Sequence, residues 1–407
     1  MEAVRRKDVK IGVLEKVTIT LNVIYLMIPA LSVISLTLYS SIVFALDAML
    51  FLKSPKSKNG KSAFAFFFLL MFTAFALASI LFSSNITESI KYMIMLLSSV
   101  ILYSSLKKST EWIDYFEKNI IAFGVINAIL TIYSFFDIVG FINIFGPYMT
   151  ESAAEFAINS NFLGVSSGIL GQTGTNSFCL VMSILLLVNR KFEEKKNLRF
   201  FLFAILGYSL LLTGKRGALL WGAIALCYAY ILKKRGEKVQ SAEKIMKFLC
   251  FVAVAFVVGY LLVRYLPQAR FVYERFVATD ADISSGRFDL FSEALERIKK
   301  NPLGMGINAY TSAFEASSHN DYLQLSAEVG IIGAICFFAF FFLEVKRAIK
   351  NLGVVEGRQN VVSYIATAVF LLFFATTASP LHHYGMCIQF FMIYAALTAY
   401  TDEGEAK

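Results

Sequence analysis

The feature that most constrains this chain is a succession of twelve apolar runs, at about residues 17–33, 35–52, 62–82, 88–106, 119–139, 174–189, 199–213, 217–232, 245–265, 320–345, 361–378 and 384–400. A helix rises ~1.5 Å per residue, so roughly 20 apolar residues cross the hydrocarbon layer of a bilayer. A mean hydropathy of +0.64 with only 16% charged residues leaves too much apolar surface for a soluble domain of 407 residues. The expected fold is therefore all-α. It is a polytopic integral membrane protein of about 12 transmembrane helices, forming one membrane domain over residues 1–407. The stretch 17–52 also reads as one broken helix. Met1 to Lys16 are too charged for a cleavable signal peptide, so the first apolar run is expected to stay as a span.

A net charge of +9 raises the question of nucleic acid, and its distribution answers it. With the N-terminus inside, 28 of the 38 Lys and Arg fall in cytoplasmic segments, in every loop pair. This is the positive-inside bias, so the charge reports topology and no nucleic-acid partner is expected. Two long segments fall on the outer side. The first, about 140–173, is polar and carries Gly164, Gly168, Gly171 and Gly174. The second, 266–318, is a large extracytoplasmic loop, and loops of this length are commonly functional. Within it Phe288, Phe291, Leu295 and Ile298 recur at helical spacing opposite Glu293, Glu296, Arg297, Lys299 and Lys300, until Pro302 and Gly304 stop the pattern. An amphipathic helix on the outer membrane face is the expectation. Cys179, Cys227, Cys250, Cys336 and Cys387 all lie in apolar runs without a CxxC, which reads as small buried thiols rather than disulfides or a metal site.

Ten basic residues run against the topological bias: Lys91, Lys215, Arg216, Arg264, Arg270, Arg275, Arg287, Arg297, Lys299 and Lys300. Lys215 and Arg216 sit in a short turn, Thr213-Gly214-Lys215-Arg216-Gly217, between two runs. Arg287 opens the amphipathic helix. Ser318-His319-Asn320 stands at the entrance of the tenth run, which continues through Gly330-Ile331-Ile332-Gly333. The topology puts Lys215, Arg216, Arg287 and His319 on one face of the bilayer. Guanidinium groups suit phosphate because their planar fork binds two oxygens at once. A histidine, with an ordinary pKa of about 6.5, suits proton transfer from an acceptor hydroxyl. Asn320 is a candidate to hold the imidazole or a sugar hydroxyl. The plainer readings are an interfacial or capping role for His319 and headgroup anchoring for the three cations.

Other groups carry weaker signals. His382 and His383, in Ser379-Pro380-Leu381-His382-His383-Tyr384, are explained most simply as part of a polar outer turn. Glu328 lies nine residues after His319, about 900° around a straight helix, so the two point to opposite faces unless the helix breaks between them. Otherwise Glu328 is expected to be buried in packing or to meet a neighbouring helix. Asp280 and Asp282 form a DxD, a faint metal signal. Asp47 lies inside the second run with no evident role.

The His319–Asn320 pair, followed by Gly330-Ile331-Ile332-Gly333, resembles the signature of the O-antigen ligase and O-antigen polymerase superfamily. Supporting segments occur in order: Gly171-Gln172-Thr173-Gly174-Thr175-Asn176, the basic turn 213–217, Gly286-Arg287, and Asn301-Pro302-Leu303-Gly304-Met305-Gly306. The resemblance covers roughly 160–345. It implies a membrane glycosyltransferase of the C type in the bacterial cytoplasmic (inner) membrane, working at its outer face. Such an enzyme passes a glycan from undecaprenyl diphosphate to a glycan, lipid or protein acceptor, inverting the anomeric centre, with no cofactor and no metal. By the same resemblance Arg216 and Arg287 bind the diphosphate, with a weaker claim for Lys215. His319 is the base, and Asn320, Gly330 and Gly333 support it.

Ligases of lipopolysaccharide and polymerases of O-antigen or capsule share this pattern, and the sequence does not separate them. A transporter or flippase of lipid-linked oligosaccharides is the rival class. Repeated halves and midplane polar residues on broken helices are common in transporters. Here no internal repeat is visible, and the unusual polar groups gather on one side.

Overall fold

The computed structural model describes residues 11–54, 63–189, 196–234, 264–265, 270, 273–274, 287–314, 317–352 and 358–405. Among these, helix dominates and no strand occurs. In chain order the helices are α1 Val13–Ile24, α2 Leu36–Lys53, α3 Ala63–Ser79, α4 Ile86–Leu106, α5 Ile113–Phe136, α6 Ile138–Phe145, α7 Glu151–Phe162, α8 Thr173–Asn189, α9 Lys196–Leu212, α10 Arg216–Lys234, α11 Arg287–Lys300, α12 Ala309–Phe314, α13 Asp321–Asn351, α14 Arg358–Phe374 and α15 Tyr384–Glu405. Five segments (residues 36–53, 64–82, 86–106, 113–136 and 321–351) are long and apolar enough to cross a membrane. Others, among them α8 and α9, are apolar but shorter. The chain is an all-α membrane protein. The expected ninth run, 245–265, lies almost wholly outside the described residues, as do Asp280, Asp282, Gly286 and Cys250.

Polar side chains start several helices where the sequence offers them. Ser35, Asn85, Asp137, Thr150 and Asn320 each accept a backbone N–H of the following turn, occupying donors a helix start leaves unpaired. The expected polar segment 140–173 is more ordered than its composition suggested. Asp137 starts the apolar α6, and Thr150 starts α7. The strand-like pairing of Leu31 with Met149 then fastens this segment to the α1–α2 connection.

Packing is continuous through the apolar core. Helix α13 lies along α3, α10 along α14, and α15 along α4, while α5, α8 and α9 form a mutually packed group. Buried polar contacts join neighbours where lipid offers no hydrogen-bonding alternative. Asn127 of α5 donates to Asn176 of α8 at 2.7 Å, and Asn176 donates to Thr131 at 3.0 Å. Asp47 acquires a role here. It is wholly buried in α2, accepting from Asn22 of α1 at 3.0 Å and from Ser98 of α4 at 2.5 Å. Gln389 of α15 completes the cluster through the Asn22 carbonyl at 2.9 Å. Four helices are thereby pinned at one level.

Helix α11 makes a contact that its apolar pattern did not announce. Its inward stripe is Ala294 and Ile298, which pack on Tyr310 and on Ala327 of α13. Phe288 and Leu295, expected on the apolar face, are exposed. Residues four apart stack on one face whereas Leu295 is turned ~100° from Ala294, and the small Ala294 lets the two helices approach. The helix docks on α13 through this stripe and leaves Phe288 and Leu295 on its outer side.

Candidate active site

The site is assembled where four segments meet: the α9–α10 turn, the start of α11, the approach to α13, and the α14–α15 turn. Gly217 and Trp221 of α10 both meet Thr377, the latter through an Nε1–H hydrogen bond at 3.2 Å. The backbone N–H of Asp321 donates to Ala375 O at 2.8 Å, and the Ser317 and Ser379 hydroxyls are 2.5 Å apart. Lys215, Arg216, Arg287 and His319 are thus carried to one end of the helices.

His319 is the backbone exception in this region. Its φ of 53° is left-handed, a conformation that costs a non-glycine residue about 1–3 kcal/mol unless its surroundings hold it. Its N–H donates to Ser317 Oγ at 3.2 Å, and Ser318 and Gln324 close a network around it. The side chain is exposed. Partial burial of the ring, followed by the charges of Arg287 and Lys215, lowers its pKa below the ordinary value. Arg287, half-buried, is itself lowered by burial and by Arg216. A neutral imidazole therefore faces a group of like-charged cations, an arrangement suited to an anion.

Asn320 does something other than hold the imidazole. Its Oδ1 caps α13, accepting from Tyr322 N at 3.0 Å and Leu323 N at 3.2 Å. This fixes the first turn immediately after His319. The two glycines further on also have local reasons. At Gly330 the chain turns out of the helix (φ 78°, ψ 160°), and a Cβ there would lie 2.8–3.0 Å from the backbone of Leu303 and Pro302. The break frees two helix carbonyls, which the 302–306 loop satisfies: Met305 N donates to Ala327 O and Gly306 N to Glu328 O, both at 2.9 Å. At Gly333 a Cβ would press on Phe75 of α3 at 3.1 Å.

The break comes after Glu328, so it does not bring Glu328 to His319. Glu328 instead meets His382. The imidazole of His382 lies between two carboxylates, with Nδ1 2.8 Å from Asp321 Oδ1 and Nε2 2.9 Å from Glu328 Oε2. Both carboxylates are fully buried and His382 is 7% exposed. Glu328 also accepts from Asn308 N at 2.8 Å, Tyr310 N at 3.3 Å and Gln324 Nε2 at 3.2 Å. Burial alone would push the His382 pKa down. Glu328 and Asp321 outweigh it and raise the value to about 10. Its ring stacks on Tyr92, with centroids 5.6 Å apart, and Tyr92 OH donates to Leu381 O at 2.7 Å. The simple polar turn expected at 379–384 is therefore a buried ionic clamp. His383, by contrast, is pushed down to about 4 by burial. The signal for the clamp existed in the sequence as Asp321, Glu328 and His382, three ionisable residues in or beside apolar runs, but nothing in it paired elements 54–61 residues apart.

A family model described as O-antigen ligase matches residues 201–338. Over those residues the chain is similar to the O-antigen ligase family, in agreement with the resemblance read from the sequence. The match covers about a third of the sequence and includes Lys215, Arg216, Arg287 and His319, while the turn bearing His382 lies beyond it. No curated protein matches the chain. The partial match and the apolar helices together support an O-antigen ligase-type membrane protein.

Proposed function

We propose that this chain transfers a glycan from undecaprenyl diphosphate to an acceptor hydroxyl at the outer face of a bacterial cytoplasmic membrane. In this reading about 12 helices span the bilayer, with the N-terminus inside and the His319 end outside. The acceptor is a glycan, lipid or protein group, making the enzyme a ligase or a polymerase of O-antigen or capsule.

The observation that carries the reading is the meeting of His319 with Arg287, Lys215 and Arg216 at one end of the helices. Arg216 and Arg287, with Lys215 beside them, hold the diphosphate oxygens. The acceptor oxygen attacks the anomeric carbon from the opposite side, its proton passes to the neutral imidazole of His319, and the bond from the anomeric carbon to the diphosphate oxygen breaks. The departing undecaprenyl diphosphate takes the electron pair, and the cations stabilise that growing charge. A base depressed below its ordinary pKa stays neutral and ready over the physiological range. The one-sided inversion and the metal independence follow from the family resemblance.

The test is transfer of a radiolabelled glycan from undecaprenyl diphosphate in proteoliposomes, with several acceptors and chelator present. Product is expected from the unaltered protein and not from His319→Ala, with Arg216→Ala and Arg287→Ala impaired through donor KM. Movement of donor between leaflets without a new glycosidic bond, unaffected by His319→Ala, would instead identify a transporter. Asp47, a buried polar residue within a span, does not point to that rival, because the hydrogen bonds around it give it a structural role among four helices.

A further inference from the structure

We infer that the turn at residues 379–382 is a positioning device for His319, with His382 as the positioning residue. The inference rests on the reading of His319 as the base. It concerns a segment outside the family match and assigns it a part in the same site.

His319 is held in a left-handed conformation that its own side chain does not explain. The restraints come from both sides, and both lead to the same turn. On the N-terminal side, the His319 N–H donates to Ser317 Oγ, which lies 2.5 Å from Ser379 Oγ. Gln324 Oε1 accepts from Ser317 Oγ at 3.1 Å, Ser318 N at 3.2 Å and Ser379 Oγ at 3.4 Å, tying the two strands of the network together. On the C-terminal side, Asp321 receives His382 Nδ1 at 2.8 Å and Leu381 N at 3.0 Å. His319 is thus suspended between two anchor points only four residues apart in sequence, at 317 and 321, each fixed to residues 379–382.

His382 is suited to be the key of this device. A ring nitrogen faces each carboxylate, and the two carboxylates raise the His382 pKa to about 10, so the clamp is built around an imidazolium. The groups facing it are Asp321 and Glu328 of α13 and the Tyr92 ring of α4. Glu328 extends the same hold to Asn308, the other left-handed non-glycine residue among the described residues, through the Asn308 N–H at 2.8 Å. One buried cation therefore orders the start of α13, the loop before α12 and the α14–α15 turn together. Glutamine has no charge and cannot reach both carboxylates from opposite sides of a planar ring, so His382→Gln should release the His319 backbone without removing any group that touches donor or acceptor.

The test uses the full chain in proteoliposomes and compares unaltered protein with His382→Gln. Two readouts are taken: the pH dependence of diethyl pyrocarbonate modification at His319, mapped by mass spectrometry, and transfer kinetics. The chain has only three histidines, so His319 is read separately from His382 and His383. In the unaltered protein His319 is expected to titrate below its ordinary value. In His382→Gln it should return toward about 6.5, while kcat falls about 100-fold, as misplacement of a reacting group by about 1 Å can cause, and donor KM stays within about threefold. If the folded variant leaves both the His319 titration and kcat unchanged, the positioning claim is wrong. If His382→Gln does not fold, the Ser317→Ala, Ser379→Ala double variant cuts the other anchor without stranding a buried charge, and the same two readouts decide. If the unaltered chain transfers no glycan, the glycosyltransferase reading fails, and the His319 titration alone still judges the positioning claim.

Discussion

Two histidines at the same end of this molecule live in opposite electrostatic worlds. His319 is exposed and faces Arg287 and Lys215, which add to partial burial in pushing its pKa down. His382 is buried between Asp321 and Glu328, which overcome burial and push it up to about 10. The first is kept neutral and able to take a proton. The second is kept charged and able to hold three segments together. Residue type alone says nothing about which does which. The neighbours decide, and in both cases the decisive neighbours come from distant parts of the chain.

The largest contrast should appear on removing each ring's function. His319→Ala is expected to lower transfer by about 10²–10⁴-fold, the range for a lost general base, with no loss of thermal stability. A stable protein that keeps full activity would take catalysis away from this residue. Glu328→Gln should do the reverse. It leaves a buried His382 with one carboxylate and is expected to cost about 3–5 kcal/mol of stability, read as early thermal unfolding in detergent. An unchanged unfolding curve would mean that the clamp bears no load.

The two environments also predict opposite pH behaviour. The His382 pKa is raised on folding, so its contribution to stability is complete below the unfolded value of about 6.5 and is lost as pH rises toward 10. The loss should be on the order of a few kcal/mol, visible as an unfolding temperature that declines over that range and declines less in His382→Gln. For His319 the sign is opposite: its lowered pKa favours the neutral form, so its contribution is present above about 6.5 and fades as pH falls. The smallest effect is expected from Lys215→Gln. That change should move the His319 titration upward and reduce transfer by about tenfold or less, measured by the same chemical modification and transfer assays. A downward move would contradict the role given to Lys215 in setting His319's charge state.

Much of this was legible in the sequence, for reasons of period and composition. Apolar runs long enough to span a bilayer announce helices whatever their packing, and eleven of the twelve expected runs fall on helices or their continuations among the described residues. Arg287 opens its helix as expected, and Pro302 follows its end. What local patterns could not supply was pairing across the fold. The face of α11 was legible only in part: Ile298 of the expected stripe turns inward, while Ala294 is small and carries little apolar weight in a pattern, yet it permits close contact with α13. Asn320 had a partner closer than any substrate, the free N–H groups of its own helix. Asp47 had no evident role and His382 read as part of a polar turn because their partners, Asn22 and Ser98 on two other helices in one case and Asp321 and Glu328 on α13 in the other, lie far away in the sequence.

The most direct test of the account is the pH dependence of kcat/KM for transfer, which reports the essential base of the free enzyme. The account predicts that activity falls on the acid side with a midpoint below about 6.5, and that this midpoint rises in Lys215→Gln. A midpoint at or above the ordinary histidine value, indifferent to Lys215, would contradict it.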